Sequence, residues 1–169
     1  MNGSSSTIPR RYREGLLSAV SVGFFFILAG AIFITNPNLP GNVVEFFQPQ
    51  NFEVVRVPST QVYLPAPKLP NETYVTIYPA VGLFSLLWAF FEIAMLIIRV
   101  FAGSPLRKKV DGTSNVAFWL GAYYLIGLFL DETVTQPRWF AFWAAIVVLI
   151  GVTLLVRAVI WAAMDLRSR

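Results

Sequence analysis

Four long apolar stretches, separated by polar or turn-forming residues, organise the 169-residue chain; they fall at 15–35, 77–102, 115–132 and 138–164. A membrane-crossing helix needs about 20 predominantly apolar residues, within a range of roughly 17–25. The first, second and fourth stretches meet this outright. The third is apolar only from Val116 to Leu130 and reaches span length by borrowing polar residues such as Asn115 and Asp131. It counts as a span because a basic flank precedes it and an acidic flank follows it. The pattern predicts an all-α membrane protein: a four-transmembrane-helix bundle with a small extracytoplasmic β-containing loop between helices 1 and 2.

Turn signals divide the remainder. Gly103-Ser104-Pro105 stops the second span, and Asp111 to Asn115 offers N-cap candidates for the third, which leaves 103–114 as a loop. Thr135-Gln136-Pro137 closes the short turn 133–137 with a cap and an N1 proline, so spans three and four form a tight hairpin. The N-terminal tail occupies 1–14 and is Ser-rich from Met1 to Ile8, and 165–169 is a short terminal segment. The first apolar stretch follows Arg10-Arg11-Tyr12-Arg13 and contains Ala29-Gly30-Ala31, features shared with cleaved signal peptides. Its apolar run continues through Ile32-Phe33-Ile34, and a retained helix is expected.

The segment 36–76 is too long for a mere connection. Eight of the 11 prolines lie between Pro37 and Pro79, and between them run "NFEVVRV", "QVYL" and "TYVTIY". Such β-branched and aromatic runs predict strands, at least two of them paired. "GNVVEFFQ" predicts a short interfacial helix. Asn71-Glu72-Thr73 is a glycosylation sequon.

Composition agrees with a bilayer as solvent: 56% of residues are hydrophobic and 13% charged, against about 25% charged in soluble domains. The net charge of +4 does not indicate nucleic-acid binding, because the basic residues sit beside apolar spans, where they set orientation. Arg10, Arg11 and Arg13 precede span one, Arg107, Lys108 and Lys109 lie between spans two and three, and Arg167 and Arg169 follow span four. Both termini and the 103–114 loop are therefore expected in the cytosol, and 36–76 outside, in a multi-pass plasma-membrane protein.

The chain has no cysteine and no histidine. Thiolate chemistry, the commonest general base and the commonest metal and haem ligands are all missing. No catalytic set, metal site or cofactor is expected. The polar residues out of place are Glu92 and Arg99 on span two and Arg157 on span four. Glu92 is about 21 Å along the helix from Tyr78 and about 10 Å from Arg99. With Ser85 and Trp88 these two share a face expected to look inward. Arg157 falls at a similar depth, where a long arginine can simply snorkel to the cytosolic headgroups; the sharper expectation is a Glu92–Arg157 ion pair, with Arg99 or a protonated Glu92 as the alternatives. Trp143 and Trp161, about 27 Å apart on one helix, suit the two interfacial belts. Ala19, Gly23, Ala29, Gly30 and Ala31 on span one, and Gly121, Ala122 and Gly127 on span three, permit close helix contact.

The functional expectation is a non-enzymatic accessory or scaffold subunit, with the lipid bilayer, other membrane subunits or itself as partners and its outer loop as the contact. A small oligomeric transporter or channel with Glu92 as its working group is the alternative.

Overall fold

A computed structural model of the chain describes residues 10–68, 72–131 and 134–168. Helix α1 (Arg10–Thr35) leads into the short α2 (Leu39–Phe46), a 3-10 turn (Pro49–Asn51) and strands β1 (Phe52–Arg56) and β2 (Tyr63–Pro67). Three long helices follow: α3 (Glu72–Phe101), α4 (Leu106–Phe129) and α5 (Gln136–Ser168). Three helices are long and apolar enough to cross a membrane, over Gly15–Thr35, Thr76–Phe101 and Gln136–Ala163. α4 is not among them by composition: its first turns carry Arg107, Lys108, Lys109 and Asp111, and the uncharged remainder opens on the polar run Thr113, Ser114 and Asn115.

The strands form an antiparallel pair in the register Phe52↔Pro67 to Arg56↔Tyr63. Val57 N–H donates to the Val62 carbonyl (2.9 Å) and Lys68 N–H to that of Asn51 (2.9 Å). Hydrogen-bonded pairs alternate along such a ladder, so the backbone of residues 64 and 66 faces β1. Pro65 and Pro67 occupy the outward positions, where a missing N–H costs the ladder nothing. Pro58 and Ser59 make the turn, with Ser59 left-handed at φ 62° and Thr60 N–H bonded to the Val57 carbonyl (3.1 Å). The hairpin rests on the bundle through buried Ala66 and Pro67 and through Gln136, whose amide donates to Glu53 (2.6 Å).

The third expected strand, "TYVTIY", is instead the start of α3, which begins five residues before the expected span. β-branched and aromatic runs suit any half-buried surface, and tertiary packing decides. Here Ile77, Tyr78 and Ala80 pack inward under α2. The expected short helix is present as α2, and its face of Leu39, Val43 and Phe46 turns inward at helical spacing. These residues join Leu28 and Ile32 of α1, Ile126 of α4 with Leu130 at its C-cap, and Trp139 and Phe142 of α5 in a core at the hairpin end.

The 103–114 segment is mostly helix. Only 102–105 separates α3 from α4, so Asp111 to Asn115 are interior helical residues and cap nothing; Pro105 holds the N-cap position. The stop signal behaves as expected and forms a Schellman motif. Ser104 N–H reaches the Arg99 carbonyl (3.0 Å) and Gly103 N–H that of Val100 (3.3 Å), with Gly103 at φ 65°.

α4 lies antiparallel between α3 and α5. A Cβ on Gly82 of α3 would touch Ile126 at 3.5 Å, and one on Gly112 of α4 would touch Leu96 at 3.3 Å, so the α3–α4 contact runs from one end to the other. A Cβ on Gly121 would stand 2.6 Å from Leu149 Cδ1, which marks the close approach of α4 and α5. Gly127 and α1's Gly23 and Gly30 face open space, so of the small residues expected to seat helices, Gly121 does so and these three do not. α1 leans on α3 through aromatic rings: Phe24 stacks on Phe91 (4.1 Å between centroids), and Phe25 meets Phe84 and Trp88 edge-on.

Candidate functional site: a polar seam across three helices

Away from the hairpin, the long helices bring their charged residues together. On α3, the residues at 85, 89, 92 and 95 form one buried face: Ser85, Ala89, Glu92 and Met95. Spacings of three and four place them on one stripe, as the sequence implies for Ser85 and Glu92. Trp88 and Arg99 flank this face half-buried. Ser85 satisfies its hydroxyl internally by donating to the Val81 carbonyl (2.9 Å). Glu92, only 7% exposed, looks to α4 for a partner: the Asn115 side-chain amide donates to its carboxylate, and the charge of Arg99 acts on it from two turns further along α3.

Arg99 lies over α4 at Gly112, where a Cβ would stand 3.4 Å from Arg99 Nη1. The bare glycine gives the guanidinium its room against the α4 backbone. Its buried Nε has no hydrogen-bond partner among the described residues. Its cationic head also sits in the last turn of α3, where the helix dipole favours positive charge.

The expected Glu92–Arg157 pair is corrected by this arrangement. Arg157 Nη2 lies 2.7 Å from Asp111 Oδ1 on α4. The contact is close but not aligned, since Oδ1 receives no hydrogen bond of proper geometry; it is an ion pair held by charge and proximity. One turn away, the Arg107 guanidinium sits over the Trp161 ring, 5.6 Å from its centroid. Arg107 and Asp111 on α4, and Arg157 and Trp161 on α5, are both four residues apart, so two neighbouring contacts share one interhelical face. Glu92 and Arg157 lie on opposite neighbours of α4, each held by α4 instead of by the other.

Asp111, Gly112, Asn115 and Trp161 are the functional residues that sequence reasoning missed as partners. Their signal was available: Arg107, Asp111 and Asn115 recur at four-residue spacing, a helical stripe hidden by reading the segment as loop. Lys108 is exposed and Lys109 half-buried beside them. Arg10, Arg11 and Arg13 open α1. Asn71, the sequon residue, lies outside the described residues. At the opposite end, Arg138 Nη1 reaches both Asp131 oxygens at 3.1 Å. Among the described residues no three acidic side chains converge as a metal site would require. In chemical terms the seam locks the rotation of α3 and α5 against α4 and leaves an excess of positive charge at that end. No family model, no curated protein and no solved structure matches this chain.

Proposed function

We propose that the protein is a non-enzymatic, multi-pass membrane subunit, an accessory or scaffold chain that presents its hairpin cap to a partner. In this reading α4 is a fourth span. Its 24 residues extend about 36 Å, beyond the roughly 30 Å of hydrocarbon. It also packs antiparallel along α3 and α5, both long enough to cross, so it runs at their depth. Its charged first turns then stand at the inner interface, and Arg107, Lys108 and Lys109 support a cytosolic position for that end. In the same reading the hairpin cap faces outside, and the plasma membrane is the proposed location.

The observation that carries the partner reading is the surface of the hairpin. Val54 is 73% exposed, and Val62, Tyr63 and Leu64 are exposed beside it. The prolines blunt the outer edge of β2, whereas β1 has no third strand beside it among the described residues. An apolar, open-edged strand held on a fixed base is the form that accepts an added strand or a partner's apolar patch. Glu92 supports the scaffold reading over the transporter one: it is buried in a helix–helix contact and held by Asn115, as a fixed structural carboxylate is.

The test is purification from native membrane with mass analysis of accompanying chains, for wild type and for Val54→Asp with Tyr63→Asp. A stoichiometric partner present in the first and lost in the second supports the proposal. A wild-type chain that purifies alone, or a partner retained by the variant, removes it.

A further inference from the structure

Between α1, α2 and α3, just below the hairpin, lies a cleft of about 180 Å³ lined by apolar side chains. Ala29, Ile32 and Phe33 of α1 form one wall, Ala80, Val81 and Phe84 of α3 the other, and Leu39 and Val43 of α2 the roof. The roof is pinned from above, where the Asn42 amide donates to the Thr76 hydroxyl (2.6 Å). The walls are antiparallel: Phe25 meets Trp88 lower down, and Ile32 faces Ala80 higher up. The aromatic contact props the two helices together below while α2 spreads them above, so the cleft is a wedge set by packing.

We infer that this cleft binds one hydrocarbon chain of a membrane lipid. Both walls belong to helices long and apolar enough to cross the bilayer, and the cleft lies within a few turns of their hairpin-side ends. Phe33 and Val81, 43% and 47% exposed, stand at its mouth, so lipid tails are what bathes the opening. Water is a poor occupant, because a buried water needs two to four polar partners and the lining side chains offer none. The volume is sufficient: an apolar cavity of about 150 Å³ already holds benzene. A chain segment there regains the dispersion contacts that an empty wedge forfeits. α2 closes the roof, so the chain enters sideways from the leaflet on the hairpin side and its headgroup stays outside the cleft. Recognition is of the tail, and headgroup chemistry is immaterial to it.

The experiment uses the full chain reconstituted in phosphatidylcholine discs, released into detergent and weighed intact by native mass spectrometry. Wild type is expected to retain one lipid per chain. Ala29→Phe fills the cleft from α1, and the retained fraction is expected to fall about tenfold, the loss of roughly one well-buried apolar group's worth of affinity. Val81→Trp closes the mouth from α3 with the same expected loss, which keeps the test decisive if the first variant does not fold. Ala144→Phe, on an exposed position of α5, is expected to retain lipid as wild type does. Retention of phosphatidylglycerol should match that of phosphatidylcholine. The inference is overturned if wild type sheds all lipid, if both cleft variants retain it, or if Ala144→Phe loses it equally. It is also overturned if only the anionic lipid is held and Lys108→Gln with Lys109→Gln releases it, since the bound lipid would then sit at the basic seam.

Discussion

Arg157 of α5 closes on Asp111 of α4 at 2.7 Å, one helical turn from the Arg107–Trp161 cation–π contact. Both side chains of the ion pair keep part of their surface, 39% for Arg157 and 27% for Asp111. The attraction is therefore partly screened, and a coupling of about 0.5–1 kcal/mol is expected, at the upper end for exposed pairs. Arg157→Met and Asp111→Asn should each lower the melting temperature in detergent, and the double change should lower it by less than the sum. Arg157→Met combined with Glu92→Gln should simply add. Coupling in the second pair and additivity in the first would restore the Glu92–Arg157 contact that the structure replaces.

That exchange of partners shows what the sequence makes legible. The apolar lengths, the Gly103 stop and the pairing of two strands follow from local rules: span length against the bilayer, left-handed backbone at a helix end, and β-branched runs between prolines. The axial positions of Glu92 and Arg157 along their helices are also readable, because rise per residue is fixed. What axial position does not give is which helix lies between them. Both charges turn toward α4, and α4's partners sit in a polar stretch that reads as loop when a helix is expected to begin at its first apolar residue. The "TYVTIY" run misleads for the converse reason. Its residues carry strand propensity, while Ile77 and Tyr78, at adjacent positions, are buried under α2 as part of a helix.

The Schellman end of α3 gives a local test. Gly103 at φ 65° holds the bonds that return Ser104 and Gly103 N–H to the helix. Gly103→Ala should cost about 1 kcal/mol, because Cβ opposes left-handed backbone. Gly103→Asn should cost less, since asparagine tolerates that region. Thermal unfolding in detergent checks the order Gly, Asn, Ala. Equal stability of both variants and the wild type would mean that the α3–α4 connection does not depend on this bend.

Topology has a direct readout. With four spans and the basic seam inward, a reporter fused after Arg169 should be active only in the cytosol, and one inserted at Ser59, in the hairpin turn, only outside. Moving the positive charge should matter as well. Replacing Arg107, Lys108 and Lys109 with glutamine should yield a fraction of inverted or partly inserted chains, because cytosolic lysine and arginine set orientation. A cytosolic signal from the Ser59 insertion in the unmodified chain would place the hairpin inside and reverse the proposed arrangement.

Glu92 is the most demanding residue to keep, and its partner is a neutral amide. A charged side chain deep in a bilayer costs about 2.5–3.5 kcal/mol on the lenient insertion scale, and Glu92 is buried besides. The Asn115 amide supplies a donor from α4, and Arg99 supplies charge from the same helix. Asn115→Leu removes the donor and leaves the carboxylate under-satisfied, which should cost about 1–3 kcal/mol. Glu92→Met leaves instead an orphaned neutral amide, a smaller penalty than an under-satisfied carboxylate. Combining Glu92→Met with Asn115→Leu removes both polar groups and should recover stability to near wild type or above, as apolar replacements of buried polar pairs often do. A scaffold built this way keeps partner binding in the double variant while its α3–α4 contact becomes purely apolar. If the double variant is stable yet the cell loses an ion- or proton-dependent flux that wild type supports, Glu92 serves transport and the scaffold proposal gives way to the oligomeric transporter.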